Sequence, residues 1–100
     1  MSDKIGAEAA LAKLTAWEAL DEDRDAISKT FIFSDFKSAW AFMSGAALKA
    51  EQLDHHPEWF NVYNRVEVIL TTHDADGVTD LDVTLGSFMD NLAAQLGLQD

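Results

Sequence analysis

A single proline, Pro57, restricts the fold of this chain more than any other residue. A proline pushes the residue before it out of the α region, so a helix approaching it must stop before His56. Upstream, Phe36, Trp40, Met43, Ala47, Ala50 and Leu53 recur at helical spacing, with Ala39 and Ala46 beside them. Trp40 therefore reads as a core residue on that stripe. Downstream, "WFNVY" and "RVEVILTT" alternate as strands do, Trp59 to Tyr63 and Arg65 to Thr72, with a tight turn near Asn64. His55 and His56 thus sit where the chain leaves a helix and bends into a hairpin, and His73 ends the second strand.

The flanking segments complete a pattern. Lys4 to Leu14 is alanine-rich and suits a short helix. "WEAL" is short, and the acidic turn "DEDRD", Asp21 to Asp25, follows it. "AISKTFIF", Ala26 to Phe33, places Ile27, Phe31 and Phe33 on one strand face, with Lys29 the exception. Ser34 is in place to cap the central helix, with Asp35 in its favourable first turn. "DADG" is a loop whose glycine suits a positive φ. Thr79 then caps a last helix, in which "TDLD" has the form of a capping box. Its stripe is Leu81, Leu85, Phe88, Met89, Leu92 and Leu96, and Gly97 is the C-terminal stop. The order is α-β-β-α-β-β-α. The expected fold is α+β, a four-stranded antiparallel sheet with three helices packed on one face and an outer edge open to a second subunit.

At 100 residues the chain reads as a single domain, 1–100, and 48% hydrophobic residues suffice for an interior. With no cysteine, disulfides, thiolate metal sites and a cysteine nucleophile are excluded. Acidic residues number 18 against 7 Lys and Arg, a net charge of −11, which repels phosphate backbones and anionic lipid. Direct nucleic-acid binding is thereby disfavoured. The N-terminus lacks a basic segment followed by an apolar one, and no apolar run approaches the roughly 20 residues of a membrane span. A cytoplasmic protein without membrane contact is expected.

The groups able to move protons at neutral pH are the three histidines. A hairpin returns close to its starting point, so the elbow carrying His55 and His56 and the strand end carrying His73 can share a pocket. Three imidazoles could also hold zinc, but adjacent side chains diverge, so no metal is expected. Glu51, one helical turn before His55, is placed to orient it. Asp82 belongs to the capping box and serves the site only if it reaches the pocket. Of Trp59 and Phe60, one can stack on a flat heterocycle while the other turns to the core. Trp17 reads as core. There is no glycine-rich phosphate loop, dinucleotide fingerprint or serine hydrolase pattern.

The set Glu51, His55, His56, Pro57, Tyr63, His73 and Asp82, with "HHPEWFNVYN", "TTHDADGVTDLDVTLGSFMD" and "RDAISKTFIFSDFKSAWAFM" around it, resembles the pterin-4a-carbinolamine dehydratases over about Trp17 to Ala94. The resemblance implies removal of water from a 4a-hydroxytetrahydropterin to give quinonoid dihydropterin, in tetrahydrobiopterin recycling. It implies a reduced pterin as substrate, no cofactor, no metal, and a homodimer or homotetramer. It further implies His55 and His73 as the acid–base pair and His56 as a catalytic residue that mainly binds and positions the pterin. Pro57 and Trp59 would contact the pterin, Trp59 as part of the pocket wall, and the backbone around Thr72, His73 and Asp74 would bond the pterin's amide edge. Glu51 and Asp82 would support the site. Animal relatives also serve as dimerisation cofactors of a homeodomain transcription factor, so the alternative is an interaction module that retains the pocket by descent.

Overall fold

The computed structural model describes residues 3–20 and 23–98. Along the chain run α1 (Ala7–Leu11), β1 (Glu18–Ala19), β2 (Ile27–Ile32), α2 (Phe36–Leu53), β3 (Glu58–Val62), β4 (Arg65–Leu70) and α3 (Asp80–Gln95), with a single 3₁₀ turn, His73–Ala75, before α3. The four strands form one antiparallel sheet in the order β1-β2-β4-β3. The α+β architecture and element order match the expectation. The expected acidic turn falls partly outside the described residues.

The register divides the sheet by face. Ile27 opposes Leu70, and Phe31 opposes Val66. Trp59 opposes Val68. These residues turn toward the helices, and Phe31, Phe33, Val66, Val68 and Leu70 are fully or almost fully buried there with Leu85 and Met89 of α3. Trp17 is buried as expected, its ring edge-on to Phe31.

The face of α2 differs from the expected stripe. Ala39, Phe42, Ala46 and Ala50 are buried, whereas Trp40 is 57% exposed and Phe36 48%. Phe42 fills the space that periodicity assigned to Trp40, with ring centroids 4.7 Å from Phe31 and 5.2 Å from Phe33. The alanines explain the choice. A seam of small residues lets α2 approach α3 so closely that a Cβ on Gly45 would stand 2.7 Å from Leu92 Cδ2. Turning the helix to bury Trp40 would lose that approach.

Several boundaries also move for identifiable reasons. α1 starts later than Lys4 because Lys4 pairs with Thr79, and the amides of Ile5 and Gly6 both donate to Val78 O. Asp35, and not Ser34, caps α2, its Oδ1 accepting from the Ser38 amide at 2.8 Å. β4 stops at Leu70, so His73 opens the 3₁₀ turn and does not end a strand. The positive φ of the "DADG" loop falls on Asp76, at 55°. Gly77 is favoured for a different reason, since a Cβ there would lie 2.6 Å from Asp25 Oδ2, an atom held in place by the Val78 amide. Gly97, at φ 79°, does end α3, with the Leu98 amide returning to Ala93 O.

Candidate active site

The elbow is built by one left-handed residue. Asp54, at φ 50°, terminates α2 and reverses the chain, so the His55 amide returns to Ala50 O at 3.0 Å. This reversal separates the adjacent histidines. His55 turns inward to 7% exposure, and the His56 side chain stays 55% exposed.

On the other wall, the chain leaves β4 through Thr71 and Thr72. Thr72 pairs with Gly77, its amide donating to Gly77 O at 2.9 Å, which closes the 3₁₀ turn into a tight loop. Asp25 fixes this loop from below. Its Oδ2 accepts the Val78 amide, its Oδ1 the Ala7 amide, and its carbonyl the Thr71 hydroxyl. Burial pushes the Asp25 carboxyl up, but the two amides and nearby Lys4 outweigh it and hold the group below the ordinary carboxylate range.

Between the walls lies a cavity of about 550 Å³. The elbow contributes Asp54 to Glu58, the loop Thr71 to Asp74, and the first turn of α3 Leu81. His55, His56, Pro57, Thr72, His73 and Asp74 all line it.

Each imidazole carries its own carboxylate. His55 Nε2 is 2.5 Å from Asp82 Oδ1, His56 Nε2 is 2.5 Å from Glu51 Oε2, and His73 Nε2 is 3.1 Å from Glu58 Oε2. Asp82 is fully buried and does two jobs. Its Oδ2 accepts from the Thr79 amide, completing the capping box, and from the Thr72 hydroxyl at 2.8 Å. Its Oδ1 remains for His55. An acceptor-only carboxylate in that position makes Nε2 the protonated nitrogen of a neutral His55. Thr72 further bonds Thr79 between hydroxyls at 2.8 Å, so elbow, loop and helix cap form one buried network.

Glu51 is a correction. It meets His56 rather than His55, because α2 ends at Leu53 and the four-residue helical spacing to His55 is not continued. Trp59 is another. Strand alternation sends it to the core side opposite Val68, where it packs on the core, and it does not line the cavity. Phe60, on the other sheet face, is 58% exposed. The Thr72 backbone is also unavailable to a ligand, its N–H and C=O being spent within the loop. Among the described residues the amides of His73 and Asp74 have no backbone acceptor.

Glu58 and Arg24 were not expected at the site. Arg24 grips both oxygens of Glu58, Nη1 to Oε1 at 3.0 Å and Nη2 to Oε2. That grip lowers the Glu58 carboxyl below the usual range against the opposing effect of burial, with a further contribution from His73. Strand alternation alone could have turned Glu58 away from Trp59 and toward the cavity. No sequence signal links Arg24 to it.

Among the described residues no group of three or more His, Asp or Glu is gathered as a metal site. No helix among them is long and apolar enough to cross a membrane.

Residues 3–92 match the model of the pterin 4 alpha carbinolamine dehydratase family. The chain belongs to that family. Relatives provisionally named pterin-4-alpha-carbinolamine dehydratase include one from Dinoroseobacter shibae, 64% identical over 77 residues, covering 77% of this chain and 78% of the relative. Another, from Bradyrhizobium sp., is 54% identical over 99 residues and covers 96% and 99% of the two chains. A crystal structure described as a transcriptional coactivator/pterin dehydratase from Brucella melitensis superposes with a TM-score of 0.82 at 51% identity, over 86% of this chain and 90% of that one. A pterin dehydratase-like protein identified as a RuBisCO assembly factor in the alpha-carboxysome shares the fold, with a TM-score of 0.67 at 18% identity, over 81% of this chain and 93% of that one.

Proposed function

We propose that the chain dehydrates a 4a-hydroxytetrahydropterin to quinonoid dihydropterin by histidine general acid–base catalysis, with the reduced pterin as substrate and no cofactor. The observation that carries this reading is the convergence of His55 and His73 on one cavity from two different elements. Dehydration moves two protons. The hydroxyl on C4a leaves as water once it has taken a proton from an imidazolium, and the neighbouring ring nitrogen gives its proton to an imidazole. The two histidines then hold exchanged protonation states. His73, with a side chain 74% exposed, can restore its own by exchange with water. His55, locked on Asp82 and nearly buried, offers a fixed position instead.

His56 is assigned to binding the pterin, held by Glu51 at the rim. Pro57 stiffens the wall. The unpaired amides of His73 and Asp74 point this reading toward an amide-edge contact shifted one residue from Thr72. Metal plays no part in it, so turnover should survive exhaustive chelation, and a need for stoichiometric zinc would contradict it. Each acid or base typically contributes about 10²–10⁴-fold, so His55→Ala and His73→Ala should each slow carbinolamine loss by such a factor while the domain stays folded. Wild-type rates in both variants would overturn the assignment.

A second reading rests on the surface of α2. Phe36 and Trp40 stack at 6.3 Å between centroids, and Leu48 is 70% exposed on the same helix. Such a ridge suits protein association, either of copies of this chain or with a partner, as the coactivator description of the Brucella melitensis protein suggests. In that reading a pterin analogue would leave the melting temperature unchanged. A rise on adding the analogue favours the enzyme.

A further inference from the structure

His73 is the weakly anchored member of the pair. It starts a three-residue 3₁₀ turn outside any strand or long helix, and its side chain is 74% exposed. The ring's hydrogen-bond partner is Glu58 Oε2, at 3.1 Å. Both oxygens of Glu58 are in turn bonded by Arg24.

The placement of that pair is informative. Glu58 opens β3 and opposes Ile69, and Ser28 opposes Ile69 from the other side. Arg24 precedes β2, which is separated from β3 by β4. The guanidinium therefore reaches across the end of β4, where the chain departs toward His73. Arginine presents a planar fork that fixes a carboxylate in orientation as well as position. A carboxylate so held can only accept, and the nitrogen it faces on a neutral imidazole must carry the proton.

We propose that Glu58, oriented by Arg24, is a positioning residue that selects the Nε2–H tautomer of His73 and leaves Nδ1 as its proton-exchanging nitrogen. The kinetic part of this inference rests on the dehydratase reading; the tautomer part does not. It gives His55 and His73 the same arrangement, each with Nε2–H on a carboxylate and Nδ1 left for chemistry. The two carboxylates differ in setting, Asp82 being buried and Glu58 lying at the cavity rim.

The test joins ¹⁵N NMR of histidine side chains with stopped-flow carbinolamine dehydration, on the wild-type protein, Glu58→Ala and Glu58→Asp. In the wild type, neutral His73 should show one tautomer, with Nε2 protonated and Nδ1 not. In Glu58→Ala it should become a mixture, and kcat should fall roughly 10-fold with KM little changed, part of what a positioned base contributes. Glu58→Asp should restore the single tautomer and most of kcat. An exposed ion pair contributes little to folding, so all three should melt at similar temperatures. A wild-type tautomer pattern in Glu58→Ala overturns the proposal, as does a changed pattern with unchanged kcat. If the wild-type protein does not dehydrate carbinolamine, the functional reading fails, and the NMR alone decides whether Glu58 sets His73.

Discussion

At the residue scale, the site depends on how one carboxylate divides its two oxygens. Asp82 uses Oδ2 to cap α3 and bind Thr72, and Oδ1 to hold His55. Replacing it by asparagine puts an NH₂ group in place of one oxygen, facing either His55 Nε2 or the two donors Thr72 Oγ1 and Thr79 N. Hydrogen bonds to a charged group contribute about 1.5–3 kcal/mol, so Asp82→Asn should lower both stability and kcat. For a domain of this size, about 2 kcal/mol corresponds to a fall in Tm of roughly 8–16 °C, measurable by calorimetry. An unchanged Tm would show that the network is not what holds the elbow to the loop. The capping half of this arrangement was legible in "TDLD", because a capping box is a local pattern with fixed spacing. The His55 half was not, since it depends on Asp54 adopting a left-handed turn that swings His55 inward. The same turn sends His56, and not His55, to Glu51.

At the scale of elements, Asp25 ties both ends of the loop from Thr71 to Val78. That carboxyl has a lowered folded-state pKa, so it contributes stability above the unfolded value of about 3.9, and this contribution is lost as pH falls through the lower folded value. Asp25→Ala should therefore lower Tm at neutral pH and make the remaining stability less sensitive to acid below about pH 4. Parallel acid-melting curves for wild type and variant would contradict this. Asp35, the cap of α2, behaves alike: its bonds to Lys37 and the Ser38 amide hold its carboxyl at about 2. Element order was readable throughout, since Pro57, the alternating strands and the C-terminal glycine are all local signals. The buried face of α2 was not. With alanine on several sides of the helix, periodicity allows two stripes, and only the close approach to α3 at Gly45 decides for Phe42 over Trp40. Phe42→Ala should accordingly cost about 3–5 kcal/mol, while Trp40→Ala should cost far less. Equal losses would restore the stripe read from the sequence.

At the scale of the whole molecule, the strongly acidic surface and the cavity rim work together. Asp54, Glu58 and Asp74 line the opening, and the chain carries a net charge of −11. A neutral heterocycle meets no electrostatic barrier there, whereas a polyanion would. A ligand that binds only the folded state at about 100 times its Kd adds roughly 2.7 kcal/mol, so a pterin analogue should raise Tm by about 10–20 °C. The long-range pairings that make the site, Arg24 to Glu58 and His55 to Asp82, join residues far apart in sequence, and no spacing rule announces them. The resemblance to a family pointed to His55, His73 and Asp82, whereas Glu58 emerged only once strands and loop were placed in space. The most direct test of the account is stopped-flow measurement of 4a-carbinolamine decay with wild-type protein, His55→Ala and His73→Ala. Fast decay is expected with the wild type, and losses of about 10²–10⁴-fold in each variant. Decay that the wild-type protein does not accelerate, or that both variants accelerate equally well, would contradict it.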